Sequence, residues 1–172
     1  MRLSYLIVLL IFFNCSSNYS IEKKAQECLF STFPNKGITL TEYIKKYENL
    51  LIEKKVLASS SDESYYLLFK KVMLNDFPKP IIKYSLIDSL NQITSKDFVE
   101  LNLECNKKIE SLTDYNKSIT FKINNYLKEV KTKNINPKEA TSQLLKIYPK
   151  DYFSIPLHKL QLLLLINRYS IN

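Results

Sequence analysis

An all-α fold is expected, a small bundle of five to six helices, and three observations predict it. Glycine is almost absent, with Gly37 the only one in 172 residues, whereas sheets lean on glycine for tight turns and bulges. Apolar residues recur at three- and four-residue spacing through most of the chain. Ser, Thr, Asn and Pro stand where such runs begin, and these side chains suit the open amides of a helix N-terminus. The apolar share of 45%, with twelve Tyr and nine Phe, provides material for one core, and the length suits one domain.

The elements follow in order. Thr39 and Glu42 stand at capping-box spacing. Leu40, Tyr43, Ile44, Tyr47, Leu50 and Leu51 then make one helical stripe. After SSSD, Ser60 and Glu63 offer a second capping box, with Tyr65, Leu68, Phe69 and Val72 on one face. So short a link predicts an αα-hairpin at the start of the fold. Pro78 and Pro80 break the pattern. Residues 81–93 are left open between helix and strand. Ser95 is expected to cap a helix with Phe98, Leu101, Cys105, Ile109 and Leu112 at helical spacing. A longer helix is expected from about Tyr115 to Lys131, with alternation at 119–123 leaving minor strand content open there. Asn136, Pro137 and Glu139 mark a strong helix start. LHKLQLLLLINRY reads as a helix apolar nearly all round, too short to span a membrane and therefore central to the core.

Composition excludes several mechanisms. A P-loop, a dinucleotide fingerprint and a nucleophile elbow each need two or more glycines at fixed spacing, so no such cofactor site is expected. The formal charge is +8, from 25 basic and 17 acidic residues. Apart from Arg2 and Arg168, every one of those cations is lysine. Readers of nucleic acid favour arginine forks, so a lysine-rich surface beside anionic lipid, or simply a solvated one, fits better. No nucleic-acid partner is expected.

Arg2 precedes the apolar run LSYLIVLLIFF, eleven residues long, where a span needs about twenty. That is the form of a signal peptide. The stretch FFNC followed by SSN resembles the lipobox of bacterial lipoproteins, with Asn14 where a small residue is usual and Phe12 where leucine is common. The resemblance implies cleavage after residue 14 and acylation of Cys15, with palmitate-type chains holding the protein to a membrane of the cell envelope. Ser16, rather than an acidic residue, implies an outer-membrane address. Residues 15–27 are then expected to be a polar tether and 28–172 a single helical domain.

With Cys15 used for lipid, Cys28 and Cys105 remain as an even pair. In an oxidising envelope they form a disulfide, or else they are two small apolar core residues.

Chemistry-bearing constellations are sparse. His158 is the only histidine, and no C-x-x-C or H-x-x-x-H spacing nominates a metal site. Glu100 and Glu104 share a helical face, as an acid–base pair would, but Lys107 and Lys108 lie one turn on and suit a solvated, ion-paired surface. No catalytic residue is assigned. The doublets Lys45-Lys46, Lys54-Lys55 and Lys70-Lys71 are the candidate interaction surface, against the plainer reading of lysines on the wet faces of amphipathic helices. The expected function is non-catalytic binding or support of another envelope component. The alternative is an envelope enzyme, or an enzyme-inhibiting immunity-type protein, acting on cell-wall or acidic polymers. A site joining Glu100, Glu104 and His158 would favour that alternative.

Overall fold

The computed structural model describes residues 19–33, 40–78, 82, 84–94 and 96–170. These form eight α-helices and two 3-10 turns, with no strand among the described residues. The helices are α1 (Ser20–Ser31), α2 (Leu40–Glu53), α3 (Asp62–Met73), α4 (Leu86–Asn91), α5 (Phe98–Glu110), α6 (Ile119–Lys133), α7 (Pro137–Ile147) and α8 (Pro156–Ser170). The 3-10 turns are Tyr115–Lys117 and Lys150–Ser154. The all-α expectation holds, and the helix count was low. The increase has two sources. Ser20–Ser31, which begins inside the tether expected at 15–27, is helical, and so is the short Leu86–Asn91 segment.

α8 is the centre, as its composition demands. Leu160, Leu163 and Ile166 are fully buried, with Leu157 and Leu162 nearly so. Most of the other helices meet it. α2 presents Leu40, Ile44, Tyr47 and Leu51, and α3 presents Tyr65, Leu68, Phe69 and Val72. Each turns its stripe toward α8 or the segments beside it rather than chiefly toward the other. α3 packs most closely on the Lys150–Ser154 turn, through ring pairs Tyr65–Phe153 and Phe69–Phe153 at 5.9 and 5.7 Å. The expected α2–α3 hairpin therefore fails as a packed unit, because large rings on a third segment compete for the same face. The helical hairpin lies instead at α6–α7, joined through Asn134, Ile135 and Asn136. There Tyr126 OH donates to Ala140 O at 3.4 Å across the pair.

Caps explain the boundaries and correct two of them. α3 begins at Ser61, not Ser60. The Ser61 hydroxyl accepts from Ser64 N at 3.2 Å, and Ser64 Oγ accepts from the amides of Ala58 and Ser59. Ser64 thus ties the entering loop, rather than the cap residue itself, to the first turn. α5 is capped by Asp97 rather than Ser95, its Oδ1 accepting from Val99 N at 2.8 Å. Ser95 and Thr39 lie outside the described residues. Asn136 caps α7 as its sequence implies, accepting from Lys138 N at 2.9 Å. Ser118 caps α6, so 119–123 is helix. Ile119 and Ile123 share the inward face one turn apart, and Phe121 points elsewhere, which is why the apolar residues alternate.

Glycine is scarce, so other residues end the helices. Lys55, Asn75 and Asn134 hold left-handed backbone at φ 58°, 54° and 50°. Asparagine tolerates that region better than other residues with a Cβ. A buried asparagine also crosses the core. Asn167 of α8 accepts from Leu86 N at 2.9 Å and donates to Tyr47 OH and Tyr84 O, joining α8 to α2 and α4.

Cys28 of α1 and Cys105 of α5 are joined in a disulfide, with Cα atoms 5.7 Å apart. α1 packs chiefly on α5 and then on α8. No helix among the described residues is long and apolar enough to cross a membrane.

Candidate functional site

α1 begins inside the tether expected at 15–27, yet it brings polar side chains into the interior. Ile21, Ala25, Cys28 and Leu29 recur at helical spacing along it, and Ile21 and Leu29 are buried. Glu22, 1% exposed, lies on the same side. Its Oε1 accepts from Thr120 N at 3.0 Å and from Thr120 Oγ1 at 3.3 Å, so it caps an open amide at the start of α6. One turn later, Gln26 Oε1 accepts from Leu157 N at 3.4 Å, at the start of α8. α1 therefore caps two other helices from one face. Just before it, Tyr19 is buried and its hydroxyl donates to Asp151 Oδ1 at 2.6 Å. Residues 19–27, expected as part of a polar tether, are thus part of the folded unit.

His158 lies beside this cluster at the first turn of α8, 3% exposed. Its ring stacks on Tyr152 with centroids 3.6 Å apart, and Nδ1 meets Gln161 Oε1 at 3.1 Å. Burial pushes the imidazole pKa down to about 4, partly opposed by the Gln161 hydrogen bond, so it is neutral at pH 7. Burial, together with the neighbouring Tyr148 and Glu22, holds the Tyr152 hydroxyl protonated far above its ordinary range. Glu22 Oε2 and His158 Nε2 have no hydrogen-bond partner among the described residues.

Above the cluster is an open surface groove of about 560 Å³ between the end of α5, the Tyr115–Lys117 turn and α6. Tyr115 and Phe121 meet edge-to-face at 5.6 Å along it. Asn124 donates to Tyr115 OH at 3.0 Å, and Leu127 is exposed beside Lys128 and Lys131. A smaller recess of about 150 Å³ continues inward, past Asn106 and Thr120 to His158 and Gln161. The lining joins aromatic faces, carboxamides and two lysines opposite Glu110. Such a surface suits a partner that is part apolar and part polar.

The constellation that would favour an enzyme does not assemble. Glu104 pairs with Lys96 at 2.6 Å on the surface, which holds its carboxyl below the usual range, and Glu100 is exposed on α5. His158 is buried on α8, where its ring meets Tyr152 and Gln161. Among the described residues no group of three or more His, Cys, Asp or Glu is placed to hold a metal ion.

The lysine doublets stand on α2, just after it, and on α3. Lys45 and Lys46 are exposed on α2, with Lys46 Nζ 4.8 Å from the Tyr84 ring centre. Lys70 stands 5.9 Å from the Tyr66 ring, and Lys54 is exposed after the end of α2. Lys55 and Lys71 border one recess of about 380 Å³, floored by Ile52, Val56 and Leu68. Cys15 lies outside the described residues.

Sequence reasoning missed Glu22, Gln26 and the groove. The stripe through Ile21, Ala25, Cys28 and Leu29 was the available signal for α1. The groove had none beyond the exposed pair Asn124-Asn125. No protein-family model, no curated protein and no solved structure matches this chain.

Proposed function

We propose that the protein is a lipid-anchored component of the cell envelope that acts by binding. Acylated Cys15 holds it to the outer membrane, and the helical domain engages another envelope component without catalysing a reaction on it. The observation that carries the binding role is the α5–α6 groove, where Tyr115, Phe121 and exposed Leu127 stand among carboxamides and lysines. Rings with polar rims are the usual anchors of protein recognition surfaces. The binding reading is favoured over the enzyme one because His158 is buried and neutral and Glu104 is taken up in a surface ion pair with Lys96. The disulfide between α1 and α5 fits an oxidising compartment outside the cytosol.

Site-specific photocrosslinking in cells tests the reading. A crosslinker at Phe121 or Leu127 is expected to capture a discrete envelope component, while one at the exposed Lys54 captures none. Equal, diffuse labelling from all three positions would count against the groove as the binding surface.

A further inference from the structure

We infer that the end of the domain formed by the start of α1 and the Lys150–Ser154 turn lies against the bilayer, with Lys23, Lys24 and Lys150 meeting anionic lipid headgroups. The inference rests on the proposed acylation of Cys15 and goes further by fixing how the anchored domain faces the membrane.

Chain length sets the geometry. The fold begins at Tyr19, which is buried and tied through its hydroxyl to Asp151, 132 positions away. Only residues 16–18 separate that fixed point from Cys15. Four steps of extended chain reach at most about 14 Å. An acylated cysteine sits at the headgroup level, and that layer is itself roughly 5–8 Å thick on each side of the hydrocarbon. Tyr19 therefore stays within several ångströms of the lipid surface, and whatever surrounds Tyr19 stays with it. A tether running to residue 27 would leave the domain free to tumble; one ending before residue 19 does not.

The charge of that end suits the location. Lys23 is one helical turn from Tyr19, its amide donating to Tyr19 O at 2.9 Å, and Lys24 follows. Lys150 adjoins Asp151, the residue that holds Tyr19. All three lysines are exposed. The aspartates nearby are engaged: Asp151 accepts from Tyr19, and Asp114 pairs with Lys117 at 2.8 Å. With the chain holding Tyr19 close and Lys23 one helical turn of about 5 Å from it, these lysines can reach the field of an anionic surface, which falls off over a Debye length of about 8–10 Å at physiological salt. The far end of α6 gives the contrast. Thr120 is bonded to Glu22 near the membrane end, and Lys133 is thirteen residues along the same helix, a rise of about 20 Å.

The test uses full-length acylated protein on phosphatidylcholine vesicles with and without phosphatidylglycerol. A fluorescent label is placed at Lys24→Cys, Lys150→Cys or Lys133→Cys in separate samples, and quenching by headgroup-labelled lipid is read. Labels at 24 and 150 are expected to be quenched several-fold more than the label at 133. Phosphatidylglycerol should increase that contrast, and K23E in the same samples should reduce the increase. Equal quenching at all three positions, or stronger quenching at 133, overturns the orientation while leaving the anchor intact. Protein that carries no acyl group and does not float with vesicles overturns the anchor and the orientation together.

Discussion

Glu22 links an acidic side chain on one helix to the open amides of another almost a hundred residues later. Its side chain serves Thr120 twice at the start of α6. Truncation takes the acceptor away from a part-buried amide and from the Thr120 hydroxyl. Glu22→Ala is therefore predicted to cost roughly 2–3 kcal/mol of unfolding free energy. Chemical denaturation of the two proteins measures it, and a cost below about 0.5 kcal/mol contradicts the capping role. His158 supplies a pH dependence whose sign follows from its lowered pKa. Above about pH 6.5 the imidazole is neutral in both folded and unfolded chains, so its contribution is complete. As pH falls from about 6.5 toward 4, the unfolded chain takes up the proton and the folded one does not. Stability then drops by up to about 1.4 kcal/mol per pH unit from this group alone, and the loss is complete below the folded value. His158→Phe keeps a ring against Tyr152 without the titration. Its unfolding free energy should be flatter than that of the natural protein between pH 6.5 and 4, and parallel curves would contradict the assignment.

At the scale of elements, legibility depended on whether a helix buries its own stripe or serves another helix. α2, α3 and α5 announced themselves, because Leu40, Ile44, Tyr47 and Leu51, and the matching sets on the other two, face the core at regular spacing. α1 did not. Its exposed lysines and its glutamates look like a solvated tether, while Glu22 and Gln26 do their capping at helix starts almost a hundred residues or more away. No local pattern encodes such a partner. The αα-hairpin was misplaced for a related reason. A short link between α2 and α3 predicts antiparallel packing, but Phe153 and Tyr148 offer α3 a larger aromatic surface than α2 does. The disulfide ties α1 to α5 across a separation of 77 residues. In the chain-entropy account a loop of that size stabilises by about 4 kcal/mol. Replacing Cys28 and Cys105 together by Ala should lower stability by an amount of that order, read as a lower denaturant midpoint at unchanged Cys15. A double variant as stable as the parent would show that the cross-link adds nothing.

At the scale of the whole molecule, the all-α class was readable from one glycine, recurring stripes and caps, and the near-uniform apolarity of α8 identified the centre. The groove was not readable, because Tyr115, Phe121 and Asn124 come together only when a 3-10 turn sets α6 against the end of α5. Anchor and fold also constrain each other. Tyr19 is fixed to Asp151 four residues after Cys15, so acylation would dictate which end of the bundle meets lipid and which surfaces remain open to a partner. The most direct test of that account is mass spectrometry of the mature N-terminus beside membrane fractionation of Cys15→Ala. The expected result is an N-terminal peptide that begins at acylated Cys15, and a variant released from the membrane fraction. An N-terminal peptide that retains residues 1–14 with an unmodified Cys15, or a variant that stays with the membrane, would contradict it.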